Sequence, residues 1–293
     1  MLSESTSATV RQPRILSYTS EIYSVVRAAR AAGKTIGLVP TMGALHAGHL
    51  SLVEASMREC DRTVTTIFVN PVQFGPGEDV TSYPRTESAD VGRLAELGVD
   101  VVFIPDANEM YPPGFSTYVN PPTIAEPLEG RCRPGHFRGV TTIVLKLLHL
   151  IPADIAYFGQ KDYQQSLVIQ QMVQELNIPV RIVLCPTVRE TNGLALSSRN
   201  AYLSPNEREQ ALALSRSLRV AAELVQQGQR DAAAIVARMR QVFSDAGVPR
   251  IDYIALVHPE TLAEVRHVTQ PTVALVAAWI GNARLIDNEL LAP

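Results

Sequence analysis

The stretch TIGLVPTMGALHAGHLSLV, residues 35–53, decides the fold. TIGLVP (35–40) is a short β-rich apolar run that stops at a proline; a loop containing Gly43 follows, and helical periodicity runs from Gly48 to Cys60. Strand, glycine-bearing loop, helix is the order in which an α/β sheet offers a ligand site, because a helix N-terminus carries unpaired N–H groups and about half a positive charge. Two histidines, His46 and His49, stand at that helix start. Local spacing leaves three readings open: metal ligands sharing a helix face, polar residues at a helix end, or donors to phosphate oxygens.

The alternation continues on both sides. TVTTIFVN (63–70) reads as a strand, TESADVGRLAELG (86–98) as a helix capped by Thr86 and ended by Gly98, and VDVVFIP (99–105) as the next strand. Then come a helix over 139–151, a strand near 153–159, a helix over 162–176 and a strand at 179–185. Continuous apolar strands bracketed by helices predict a parallel sheet covered on both faces, with ligands beyond the carboxyl ends of the strands. Beyond a boundary near Pro186–Val188 the pattern changes. Two helical stretches fill Ser204 to about Ala246, and three strand-like runs follow at 251–258, 272–280 and 283–290, the last two split by a Gly281-Asn282 turn signal. Helices followed by strands predict a second, smaller α+β domain.

Composition excludes several classes. The 293 residues are 46% hydrophobic and 19% charged with a net charge of -3, which gives no electrostatic case for nucleic acid or a membrane surface. TVALVAAWIG is too short to span a bilayer, and MLSESTSATVRQPR has no apolar core, so no secretory signal is expected. Cys60, Cys132 and Cys185 are far apart, without a CxxC pair; they are expected to be inert buried thiols in a reducing cytoplasm. AAGKT (31–35) imitates the end of a phosphate-binding P-loop, but it leaves a helix to enter a strand, the reverse of the required order.

Other stretches carry chemistry. FGQKDYQQ (158–165) again leaves a strand and opens a helix: Gly159 permits close approach, Lys161 supplies a point charge, and Asp162 suits an N-cap or a polar ligand contact, although this stretch alone reads more readily as a solvated loop lysine. TNGLALSSRN (191–200) sets Ser197, Ser198 and Arg199 in a loop, equally fit to wrap a triphosphate or to cap a helix beside a surface arginine. FVNPVQF (68–74) ends a strand with Gln73, whose amide can hold a hydroxyl or carboxylate. FGPGEDVTSYPRT (74–86) is Gly- and Pro-rich, as in a lid or an ordinary exposed loop.

Together PTMGALHAGH, FVNPVQF, YPRT, RPGHFRGV, FGQKDYQQ and LALSSRN, in that order over residues 40–200, with RLIDN near the C-terminus, resemble the pantothenate synthetases of the HIGH-motif nucleotidyltransferase superfamily. The resemblance implies a Rossmann-like, doubly wound domain over 1–187 that binds nucleotide and pantoate, and a smaller α+β lid domain over 188–293. It implies ATP-dependent condensation of pantoate with β-alanine through a pantoyl-adenylate, with release of pyrophosphate and AMP. It further implies Mg²⁺ brought in by ATP rather than held by a protein metal site, a cytoplasmic homodimer, and no nucleic-acid or membrane partner.

Carried over residue by residue, the resemblance places ATP against Met42, Gly43, His46, Gly48 and His49, with His49 as proton donor and His46 on the phosphates. Gly159, Gln160, Lys161 and Asp162 would also bind ATP, Val188 would meet adenine through its backbone, and Leu196, Ser197, Ser198 and Arg199 would clamp the phosphates. Gln73 and Gln165 would hold pantoate, with Gln73 also reaching β-alanine. His49, His46, Lys161 and Arg199 are the expected catalytic set. Gln160 stands where the family usually has Glu, and Leu196 where it usually has Met; neither change is expected to abolish activity. Other superfamily chemistry on a phosphorylated acceptor would call for basic residues where Gln73 and Gln165 stand. A silent ATP-binding sensor would have no need of the full set of histidines, Lys161 and Arg199.

Overall fold

The computed structural model describes residues 12–293, so most of the stretch read for a signal lies outside the described residues. Its first part alternates strand and helix: β1 (Arg14–Leu16), α1 (Thr19–Ala31), β2 (Ile36–Thr41), α2 (Ala47–Glu59), β3 (Arg62–Ile67), α3 (Glu87–Leu97) and β4 (Val101–Phe103). After the short helices α4 (Ala107–Met110) and α5 (Glu129–Cys132) come α6 (His136–Leu150), β5 (Ile155–Gly159), α7 (Tyr163–Glu175) and β6 (Arg181–Cys185). The strands form one sheet of order β1-β4-β3-β2-β5-β6, and every pairing is parallel. Strand order reverses between β2 and β5, so the crevice at their carboxyl ends is where such a sheet takes a ligand.

Burial on both faces explains the continuous apolar strands. Ile36, Leu38, Phe103, Ala156 and Phe158 pack into one core with α1, α6 and α7. Val39, Val102, Ile155 and Tyr157 face the other way, under Leu52 and Val53 of α2 and Leu94 of α3. This is the Rossmann-like, doubly wound arrangement the motifs imply.

The second part holds α8 (Pro205–Gln226), α9 (Ala232–Asp245) and the antiparallel strands β7 (Ile251–Val257), β8 (Thr272–Ile280) and β9 (Ala283–Leu291), in the order β7-β8-β9. Ser204 and Glu207 cap α8 reciprocally, and Pro205 fills its first position. One face of this sheet packs on α8 and α9. Its other face, through Ala255, Val257 and Leu275, packs against Tyr163 and Leu167 of α7 and Ile124 and Leu128 of the first part.

Several sequence expectations are corrected. β1 escapes notice because three residues are too few to show alternation. The strand expected over 63–70 ends at Ile67, and α6 begins at His136 rather than Gly139. Thr86 stands at the N-cap of α3 but makes no cap bond; its hydroxyl donates to Asp90 Oδ2 at 3.1 Å. Of the three free cysteines only Cys185 is buried; Cys60 is half-buried and Cys132, ending the short surface helix α5, is exposed. Among the described residues, no helix is long and apolar enough to cross a membrane.

Candidate active site

A cavity of about 230 Å³ opens at the carboxyl ends of β2 and β5. Its first wall is the quoted stretch. His46 is the N-cap of α2, and its Nδ1 accepts the Gly48 N–H at 3.2 Å. His49 Nδ1 faces the His46 N–H at 3.4 Å, and the two rings stack with centroids 4.0 Å apart. A neutral imidazole that accepts at Nδ1 carries its proton on Nε2, so both rings can donate from Nε2. Burial lowers the pKa of His46 to about 4, with Lys161 adding to the effect. Burial, then His46 and Lys161, lowers that of His49 to about 3. At neutral pH these are uncharged donors, and with both Nδ1 atoms occupied they are poorly arranged as a metal pair. Among the described residues, no group of three or more His, Cys, Asp and Glu side chains is placed to hold a metal ion.

The two glycines of this stretch have different tasks. A Cβ on Gly48 would lie 2.9 Å from His46 Cε1, so glycine is what lets the imidazole fold over the helix end. Gly43 does not line the cavity; with φ of +80° it turns the chain, and a Cβ there would meet Ile67 and Asp90. Asp90, fully buried on α3, suspends this turn: its carboxylate accepts the Ala44 and Leu45 N–H groups, both at 2.8 Å.

The second wall is the loop after β5. Gly159, Lys161 and Asp162 line the cavity; Lys161 Nζ is 3.6 Å from Asp162 Oδ1. Asp162 precedes α7 but makes no cap bond. Gln160 is outside the wall, its N–H bonded to the Cys185 carbonyl at 2.8 Å. Asn288 of β9 pins this loop, donating to the Gln160 and Lys161 carbonyls at 3.0 and 2.9 Å. Its neighbour Asp287 binds Arg189 at 2.6 and 3.0 Å, which accounts for two members of the RLIDN motif.

Val188, Leu196, Ser197, Ser198 and Arg199 close the cavity from the second part. Ser198 Oγ donates to the Ala44 carbonyl at 3.1 Å, tying this wall to the first. The Arg199 guanidinium makes a bidentate pair with Asp79 at 2.9 and 2.8 Å and lies 5.7 Å from the centre of the Tyr83 ring. Neighbouring Glu78 grips Arg133 at 2.8 and 2.7 Å. The Gly- and Pro-rich loop therefore bridges both parts of the chain by two adjacent carboxylates.

Met42, Gln73 and Gln165 lie in the same cavity. Gln73, which ends a 3-10 turn (Pro71–Gln73), is buried; its Oε1 accepts from Asn70 Nδ2 at 3.0 Å and its carbonyl meets His136 Nδ1 at 2.8 Å. Of the sequence candidates, only Gly43 and Gln160 fall outside the lining. Asn70, Tyr83, Arg133 and His136 line it without having been given a role, although FVNPVQF, YPRT and RPGHFRGV contain them. Arg133 Nη1 sits 3.0 Å from His136 Nε2, and burial followed by this charge lowers the His136 pKa to about 4. Phe68, Val144, Leu147 and Phe158 make one end of the cavity apolar.

Buried neutral donors, a lysine and an arginine converging at the switch point of a parallel sheet define an α/β enzyme that handles a polyanionic ligand beside a small acid. Residues 14–290 match the family model described as Pantoate-beta-alanine ligase, and the chain belongs to that family. It is 49% identical to a pantothenate synthetase of Koribacter versatilis over 95% of this chain and 96% of that one. It is 52% identical to one of Chloroflexus aurantiacus over 90% and 95%. Among solved structures, a pantothenate synthetase from Thermus thermophilus superposes with a TM-score of 0.91 at 44% identity, covering 96% of this chain and all of that one. A pantoate-beta-alanine ligase from Francisella tularensis, complexed with beta-gamma ATP and beta-alanine, gives 0.81 at 35% identity over 95% and 97%.

Proposed function

We propose that this ligase joins pantoate to β-alanine at the expense of ATP by way of an enzyme-bound pantoyl-adenylate. In the first step the pantoate carboxylate attacks the α-phosphorus and pyrophosphate leaves; in the second the β-alanine amine attacks the activated carbonyl and AMP leaves. Neither step needs a protein nucleophile. What it needs is donors where charge develops on phosphate oxygens, and water kept from the adenylate.

The residues fit those tasks. His46 and His49 would give Nε2–H to the phosphates, Lys161 and Arg199 would supply charge, and Ser197 and Ser198 would add hydroxyl donors. Their depressed pKa values make the histidines hydrogen-bond donors in the resting site. A proton-donor role for His49 would begin only once the anionic ligand has raised its pKa. Val188 and Leu196, joined by a 3.0 Å backbone bond, offer main-chain groups to adenine. Gln73 and Gln165 can hold a hydroxy acid without competing for its charge. Mg²⁺ would arrive on ATP and neutralise its phosphates; Asp162, paired only at 3.6 Å, offers an oxygen of the kind Mg²⁺ takes through water. We further propose that the chain divides functionally at 187/188 and works as a cytoplasmic homodimer, on the family resemblance and the three free thiols.

The observation carrying this reading is the convergence of both histidines, Lys161, the 196–199 turn and the two glutamines in one cavity. Purified protein with Mg²⁺ should exchange pyrophosphate into ATP when pantoate is present, without any need for β-alanine, and not when pantoate is left out. Failure of that exchange overturns the adenylate route.

A further inference from the structure

We propose that Tyr111, which stands outside the cavity wall, is a positioning residue that keeps the Gln73 carboxamide turned with its N–H₂ toward the substrate. The inference rests on the reading of Gln73 as a ligand of the hydroxy acid and gives that contact a polarity. It starts from a group that has no choice of role. The Gly139 carbonyl on α6 can only accept, and it lies 3.2 Å from the Asn70 side-chain amide. Reversing Asn70 would set two oxygens against each other, so Nδ2 faces Gly139. The second Nδ2 hydrogen then goes to Gln73 Oε1 at 3.0 Å, and Asn70 Oδ1 is left facing the Tyr111 hydroxyl at 2.8 Å.

Asn70 is 1% exposed, so water cannot stand in for that hydroxyl. Burial raises the Tyr111 pKa, which keeps the group a donor across the working range. With Gln73 Oε1 committed to Asn70, Nε2 points the other way. Its one protein neighbour in reach is Met42 Sδ at 3.3 Å, a weak acceptor. The amide therefore meets substrate as a donor, suited to a carboxylate or an oxygen of the hydroxy acid and unsuited to an ammonium group. Tyr111 itself is held by its ring, tilted on Phe68 with centroids 6.3 Å apart and edge-on to Phe115 at 5.0 Å.

Without the hydroxyl, Asn70 Oδ1 becomes a buried acceptor with no donor. Gly139 still forbids reversal of Asn70, so the side chain shifts away from its unpaired contact, and Gln73 Oε1 loses the fixed donor that kept its N–H₂ turned to the substrate. Tyr111→Phe keeps the ring contacts and removes only the hydroxyl. Steady-state kinetics on the full chain should show the pantoate KM raised about fivefold or more, with the ATP KM within about twofold of the parent. Phe115→Leu disturbs the same aromatic ladder but leaves the hydroxyl, and should cause no pantoate-selective change. Gln73→Glu, isosteric but unable to donate, should raise the pantoate KM by more than about tenfold.

An unchanged Tyr111→Phe variant overturns the proposal. So does a loss spread evenly over pantoate and ATP, or one reproduced by Phe115→Leu. An unchanged pantoate KM in Gln73→Glu overturns instead the reading of Gln73 on which the proposal rests. Should Tyr111→Phe fail to fold, the Gln73 side-chain amide resonances of the parent protein decide: pantoate must move one N–H₂ proton downfield, as a hydrogen-bond donor requires, and the absence of a downfield move overturns the proposal.

Discussion

The two sides of the cavity reach the same ligand space by different physics. On the side of residues 42–49, backbone amides hang from the fully buried Asp90 and two uncharged histidines stack at a helix end. On the opposite side, Arg199 is fixed by an ion pair with Asp79 whose partners are 23% and 24% exposed. Buried donors need no reorganisation when charge develops against them and are little affected by salt. An accessible guanidinium–carboxylate pair is screened by salt and can exchange one anion for another. One side is thus preorganised and the other is switchable, as expected of a site that must admit a polyanion and then enclose it.

The largest test of the preorganised side is His49→Ala. Losing one well-placed donor should lower kcat/KM for pantoate-dependent exchange by about 10²–10³ while the circular dichroism spectrum stays that of the parent. Parent-like exchange would remove the histidine stack from the chemistry. Asp90→Ala comes next, because it strands two backbone N–H groups that now have a carboxylate. We expect a loss of about 3 kcal/mol in urea unfolding, accompanied by weaker ATP binding. Full stability in this variant would mean that the turn is held by other contacts.

Acidification gives a smaller, signed effect. The folded pKa values of His46 and His49, about 4 and about 3, lie below the ordinary 6.5, so the unfolded chain binds more protons between those limits. Stability is therefore complete above about pH 6.5 and falls as pH drops through that window, by about 1–2 kcal/mol per histidine at pH 5. Urea midpoints at pH 7.5 and 5.0 should differ more for the parent than for a His46→Asn/His49→Asn double variant, and the difference should survive 0.5 M salt. Equal pH dependence in the two proteins would place the titrating groups elsewhere.

Sequence patterns expose the two sides unequally, for a physical reason. Each stretch around His46, His49, Lys161 and residues 196–199 taken alone leaves a bland reading open; the family motifs taken together are what mark these residues, and the structure brings them to one cavity. Asp90 is not so marked: within ESADVGRL it resembles any acid on an amphipathic helix, and only the approach of α3 to the 43–45 turn shows what it binds. Gly43 reads as a phosphate-approach glycine and proves to be a turn glycine packed on Ile67 and Asp90. Tyr111 and Arg133 act through partners 41 and 55 residues away in sequence, a separation no local period reveals. The same holds for Glu78 and Asp79, adjacent acids whose opposite partners appear only once the chain has folded.

Those adjacent acids supply the finest test of the switchable side. Asp79 accepts from Arg199 through two bonds, and on the proposed role of Arg199 an incoming phosphate would have to take the guanidinium from it. Asp79→Asn keeps the shape of the carboxylate but removes its charge, leaving Arg199 less engaged before ATP arrives. Because the pair is partly exposed, the gain is modest, and we expect the ATP KM to fall about two- to threefold in low salt. Raising ionic strength weakens the Asp79–Arg199 pair in the parent and should narrow the gap between parent and variant, whereas a purely structural role for Asp79 would weaken ATP binding at every salt concentration. Glu78→Gln provides the contrast within one loop. Its partner Arg133 is only 13% exposed and lies beside His136, so losing that pair should cost stability more than it changes ATP affinity. If the two variants behave alike, the two carboxylates form a single latch, and the division between a fixed side and an exchangeable side has to be redrawn within residues 75–83.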